Sequence, residues 1–304
     1  MRVTITVPEE TTAGFAVAAD RDPGGHGDLA ARVRRCLPRR LDAAVAGRLG
    51  TPQLLLACHP ADDSPWNLSE TAGDDADDAE RARQAAWHIS VTCVLPAGDL
   101  PSGPHLARAT AKAIAEALCG VPVDLATGRT LPATRLDRLD DFALADDWLG
   151  AVLPPYRDSG RCTADEDDID GCACVALSTR GLGRFGLPEL EIRDVACPHD
   201  LAALNILRTT AQRLLPLGRH PGDHTLPGEL LLTSADFSAF WGGRDPVWDD
   251  GPIAVQLTEN TSDRLGIRPP ASFPGTVNEW LWDELPPVLH ELLGCDPART
   301  APPG

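Results

Sequence analysis

The chain opens on a strict alternation, with Val3, Ile5 and Val7 apolar and Thr4 and Thr6 polar. A period of two predicts a half-buried strand. After a turn over residues 8–14, the short apolar run Phe15 to Ala19 predicts a second strand, paired back on the first. From Asp28 onward Leu29, Val33, Leu37, Leu41 and Val45 recur every four residues, with Arg32, Arg35, Arg39 and Arg40 between them. That spacing predicts an amphipathic helix that kinks or restarts at Pro38. The continuous run Gln53 to Cys58 reads as a buried strand. Next, Trp87, Ile89, Val91, Cys93 and Leu95 alternate with His88, Ser90 and Thr92, the cleanest strand pattern in the chain. Pro104 and His105 open a helix to Cys119, with Gly120 as its C-cap glycine. Val121 to Asp124 is a short strand before a turn over 126–129.

With Phe15–Ala19 set aside, residues 1–130 read strand, helix, strand, strand, helix, strand. That order suits a ferredoxin-like (split βαβ) sheet with helices on one face. Residues 131–170 read as a connector with a short helix near Phe142 to Trp148 and an acidic loop. In residues 171–295, strands are expected at 172–178, 189–195, 229–233 and 253–257. A helix is expected at 198–215, with Leu201, Leu204, Leu207, Ala211 and Leu214 as its buried stripe. Ser234 caps a short helix, and Thr276 with Glu279 forms a capping box before Trp280 and Leu281. The expected fold is α+β: two ferredoxin-like units, as a duplication would produce, although no repeat aligns. A loose tail is expected over 296–304.

Charge narrows the range of partners. The 45 acidic residues against 27 basic ones leave a formal charge of −18. Such a field repels phosphate backbones and disfavours nucleic-acid binding. No apolar run approaches the ~18–20 residues of a membrane span, and no signal peptide is visible at the start. Lys112 is the one lysine, and this arginine preference suits a high-GC, actinobacterial-type genome. Cys36, Cys58, Cys93 and Cys119 sit in apolar runs, where a thiol acts as a small hydrophobe. The expectation is a cytoplasmic protein with reduced cysteines.

The stretch Thr179-Arg180-Gly181-Leu182-Gly183-Arg184-Phe185-Gly186-Leu187-Pro188-Glu189-Leu190-Glu191 resembles a motif of uncharacterised bacterial domain-of-unknown-function families. The segment Ala113 to Gly120, followed by Val123-Asp124 and Thr127-Gly128-Arg129, is similar to their preceding helix, strand and turn. The resemblance implies an α+β fold and transfers no activity and no catalytic residue.

Four constellations carry candidate chemistry, and a set of aromatics adds a candidate surface. Gly181 to Gly186 spells GxGxxG after a strand, but a dinucleotide fingerprint needs a helix next, and a strand pattern follows instead. A loop between two strands is the better reading. Glu166 to Gly171 is laid out like a calcium loop, yet Leu177 falls where a bidentate Glu belongs. Cys172, Cys174, Cys197 and His199 would suit tetrahedral zinc if the strands at 172–178 and 189–195 form a hairpin. Otherwise no cofactor is expected. Cys58 would meet His88 as a thiol–imidazole pair if their strands are neighbours. Lastly, Trp241, Arg244, Trp248, Trp280 and Trp282 fall close together and could line a recognition surface, or simply fill a core. Trp280 and Trp282, two apart, cannot share one face of a helix. The composition favours a binding or accessory protein for a protein partner, one of basic character in the manner of immunity proteins. A thiol- or zinc-dependent enzyme of small-molecule metabolism is the alternative.

Overall fold

The computed structural model describes residues 2–37, 39–132, 142–152, 173, 175–261 and 263–291. The chain divides into two compact units, Pro8–Asp140 and Met1–Val7 together with Asp141–Gly304. The expected strand β1 (Arg2–Val7) is present, but it does not pair with β2 (Glu10–Ala19). Its partner is a strand at Gly222–Pro227, in antiparallel register from Arg2 opposite Pro227 to Val7 opposite Gly222. Thus the inserted Pro8–Asp140 unit interrupts the other one.

In that inserted unit, α1 (His26–Cys36) and α2 (Arg39–Ala46) lead from β2 to β3 (Leu54–Pro60). A loop and α3 (Ala76–Gln84) lead on to β4 (Trp87–Pro96). Helix α4 (Ser102–Leu118) then crosses to β5 (Val121–Asp124) and the short β6 (Arg129–Thr130). The sheet runs β3-β4-β2-β5-β6, and every neighbouring pair is antiparallel. The first four of those strands have the split βαβ order. The strand in its first position is β2, the segment set aside in the sequence reading, and not β1.

Both faces of this sheet are covered. Ala16 and Ala18 of β2 share a face with Val121 and Val123 of β5 and pack on Leu68, Ala82 and Ala85. On the other face Phe15, Val17, Ile89 and Val91 are fully buried, each worth roughly 1.5–3 kcal/mol of transfer free energy. Helix α4 lies there, buried nearly all round, and a Cβ on its Gly103 would stand 3.3 Å from Leu95. The left-handed residue closing α4 is Cys119 (φ 54°). Gly120 is instead required by a close approach, since a Cβ there would come within 2.6 Å of the Ala18 carbonyl oxygen.

The other unit adds β7 (Gly150–Val152), β8 (Val175–Arg180), β9 (Glu189–Val195), α5 (Asp200–Leu214), β10 (Gly222–Pro227) and β11 (Glu229–Leu232). Then follow α6 (Ser234–Phe240), β12 (Ile253–Thr261), β13 (Arg264–Arg268) and α7 (Val277–Asp283). Its sheet runs β11-β12-β13-β9-β8-β7, with β13 and β9 parallel and the other pairs antiparallel. This order is not a split βαβ, so the two units are mixed α and β without repeating one topology. Alternation gives this sheet an apolar face, with Leu190, Ile192, Val255, Leu257, Leu265 and Ile267 buried. The opposite face carries Glu189, Glu191, Arg264, Gly266 and Arg268. The capping box at Thr276 and Glu279 is formed as expected. The cap of α6 is Thr233, boxed with Asp236, and not Ser234. Phe142 to Trp148 is a set of turns that puts the Trp148 ring 6.5 Å from Phe185. Among the described residues, no helix is long and apolar enough to cross a membrane.

Candidate functional site

Strands β3 and β4 are neighbours, which was the condition set for Cys58 meeting His88. Their register defeats the pair. Cys58 stands opposite Ile89, and His59 stands opposite His88. Opposed residues share a face and consecutive residues alternate, so Cys58 and His88 project from opposite faces of the sheet. Burial raises the Cys58 thiol pKa, with Asp22 adding to the effect. The His88 pKa is lowered by burial and then by His59. A reactive thiolate–imidazolium pair is not built here.

The tryptophans are not gathered on one surface. Trp248 and Trp280 are core residues, the first against Phe237 at 5.7 Å. Trp241 lies under the Arg208 guanidinium, 5.1 Å from its ring centroid, and Arg244 is exposed on the following turn. Trp282 presents 42% of its surface and stacks edge-on with the buried His199. Of the zinc candidates, Cys172 and Cys174 lie outside the described residues, as do the Glu166–Asp170 acidic run and the 296–304 tail. Cys197 and His199 share one 3₁₀ turn before α5. Among the described residues, no three His, Cys, Asp or Glu side chains gather as a metal site.

The glycine motif is a loop between β8 and β9, as its context predicted. Its amides hold an anion, but that anion is internal. Glu189 Oε1 accepts the N–H groups of Gly181 at 2.8 Å and Leu182 at 2.9 Å. The Thr179 hydroxyl donates to Glu189 Oε2 at 2.6 Å and accepts the Leu190 N–H at 2.8 Å. Backbone concavities of this kind bind phosphates elsewhere; here a carboxylate of the next strand fills it.

Glu189 also opens onto the feature that sequence reasoning missed, a groove of about 790 Å³ running beside β1. Thr4 and Thr6 line it together with Glu259, Asn260 and Asp263. Among the described residues no lysine or arginine lines it, whereas three carboxylates do. Among those residues, too, β1 pairs only with β10. The Thr4 N–H points away from β10 and donates to Glu259 Oε1 at 3.0 Å. Main-chain groups alternate sides along an antiparallel strand, so Thr4 and Thr6 present theirs to the groove. The Thr261 hydroxyl bonds Asp263 at 2.6 Å. That bond, aided by Arg264, holds the Asp263 carboxyl pKa below the ordinary range. Among the described residues the groove is therefore an unpaired strand edge beside acidic side chains. Comparison with protein-family models, curated proteins and solved structures returns no match.

Proposed function

We propose that the protein is a binding or accessory protein that takes an extended, basic segment of a partner protein along the free edge of β1. The supporting observation is the Thr4 N–H satisfied by the Glu259 carboxylate inside a groove with acidic walls. An unpaired edge is a template for strand addition, in which main-chain bonds supply affinity and side chains supply choice. A partner carbonyl replaces Glu259 at the Thr4 N–H. The released carboxylate, with Asp263, then pairs with lysine or arginine of the incoming strand. The −18 formal charge steers a basic partner toward the surface and speeds its association. Cys36, Cys58, Cys93 and Cys119 are free thiols, which supports a reducing, cytoplasmic setting.

The test is fluorescence anisotropy with a labelled peptide of alternating lysine and valine, against a glutamate–valine control. The lysine peptide binds and the glutamate peptide does not. The Glu259→Gln, Asp263→Asn double variant weakens binding about fivefold at low salt, the order expected for two partly exposed charge pairs. Thr6→Pro removes an edge donor and no backbone bond of the β1–β10 ladder, though it also loses the Thr6 hydroxyl bond to Asp223, and it weakens binding as well. Equal binding of both peptides, or an unchanged affinity in the double variant, refutes the proposal.

A further inference from the structure

On the other side of Asn260 lies a second cleft of about 420 Å³, lined by Arg193 and Arg268 as well as by Glu191 and Asp194. It begins with a fault in the sheet. Leu177 opposes Ile192, but Val175 opposes Val195, so β9 carries one residue more than β8 between those pairs. This is a β-bulge, a device that re-aims side chains. Within it Asp194 takes a left-handed conformation (φ 63°), costly for a residue with a Cβ. Asn278 holds the bulge shut. Its Oδ1 accepts the Ala196 N–H at 2.8 Å, and its Nδ2 donates to the Asp194 carbonyl at 3.1 Å.

The bulge lays Arg193 back over Glu191, two residues earlier on its own strand. Arg193 Nε donates to Glu191 Oε2 at 2.7 Å and Nη2 to Oε1 at 3.1 Å. Arg264 Nη1 adds a bond to Oε1 at 3.2 Å, and Asn260 Nδ2 one to Oε2 at 3.2 Å. With four donors the carboxylate is saturated. Its side chain is only 6% exposed, against 61% for Arg193. Burial pushes the Glu191 pKa up, but the two guanidiniums outweigh it and hold the group below the ordinary range. Glu191 is thus a fixed anion spent on positioning arginines. Arg193 retains three N–H donors after its two bonds. Arg268, on the cleft wall, has no hydrogen bond or ion pair among the described residues. Gly266 keeps the floor low, since a Cβ there would meet Thr258 and Asn260 side-chain atoms at 2.5–2.8 Å. Pro269 and Val277 supply apolar wall.

We propose that this cleft binds a short aliphatic dicarboxylate, one carboxylate on the Arg193 fork and the other on Arg268, with the hydrocarbon against Pro269 and Val277. A guanidinium fork matches a planar carboxylate in two parallel bonds, which an ammonium cannot do. The volume lies within the range of small-molecule sites. Asp194 on the rim and Glu279, whose carboxylate accepts the Thr276 N–H, disfavour larger polyanions.

Isothermal titration calorimetry with succinate at constant ionic strength tests this, with propionate and inorganic phosphate as comparators. Succinate gives saturable binding near the millimolar range, and propionate binds about tenfold more weakly. Arg268→Gln breaks no bond of the fold, and it lowers succinate affinity about tenfold, a loss of about 1.4 kcal/mol. Arg193→Gln does the same, and circular dichroism of both variants confirms an intact fold. Absence of saturable succinate binding, full affinity in a folded Arg268→Gln, or phosphate binding more tightly than succinate overturns the assignment.

Discussion

Replacing Glu189 with alanine empties the amide-lined turn at Gly181–Leu182, and the structure sets the size of the effect. Three bonds of 2.6–2.9 Å end on that carboxylate. Bonds to a charged acceptor contribute about 1.5–3 kcal/mol each, and orphaning a buried donor costs about 1–3 kcal/mol. Thr179 and Leu182 are 2% and 0% exposed, so two of the freed donors stay dry. Gly183 is exposed and lets water reach part of the turn. The balance is a loss of about 3 kcal/mol for Glu189→Ala. Glu189→Gln keeps one oxygen for the amides but turns an amide donor on the Thr179 hydroxyl, and loses about 1.5 kcal/mol. Urea unfolding reads this as a midpoint lower by about 1–2 M for alanine at an ordinary slope. Amide exchange of Gly181 and Leu182 accelerates in step. A midpoint unchanged by Glu189→Ala, with both amides still protected, refutes the claim that this carboxylate locks the turn.

Two further outcomes are expected. His88 and His290 both have folded pKa values below 6.5, the first through burial and His59, the second through burial and His199. The unfolded chain therefore binds the extra protons, and stability falls as pH drops below about 6.5. Melting temperature across pH 7.5 to 5 checks the sign, and a His88→Gln, His290→Gln variant that retains the full slope sinks the assignment. At the end of α4, Gly120→Ala forces a Cβ onto the Ala18 carbonyl and costs about 2–3 kcal/mol. Cys119→Gly relieves a left-handed residue and gains up to about 1 kcal/mol. Equal midpoints for the two variants would show that the strain is misplaced.

Local pattern was legible in the sequence and pairing was not. Alternation marked β1, β4 and β9, and the box at Thr276 and Glu279 fixed the start of α7. But β10 and β13 read GDHTLP and RLGIR, too polar and glycine-broken to announce a strand. Without β10 in view, the pattern pairs β1 with its nearest neighbour. The Cys58 and His88 reading failed on a single step of register, the step that exchanges the two faces of a strand. The groove had no local signal, because Thr4, Glu189 and Glu259 come from three strands far apart in the sequence. The bulge left one trace, Arg193 and Asp194 in succession where alternation asks for an apolar residue.

The pairing of Val7 with Gly222 also sets a timetable for synthesis. A ribosome adds about 5–20 residues per second, so the roughly 200 residues between them take on the order of 10–40 s. Once Thr130 has been made, the Pro8–Asp140 unit has all its strands in hand and is free to fold, while the strand ahead of it has none of its ladder for the whole interval. Val3, Ile5 and Val7, each at most 2% exposed in the finished protein, spend that time in water. The nascent chain thus carries an apolar, edge-ready ribbon until its complement emerges, a natural point of engagement for a chaperone.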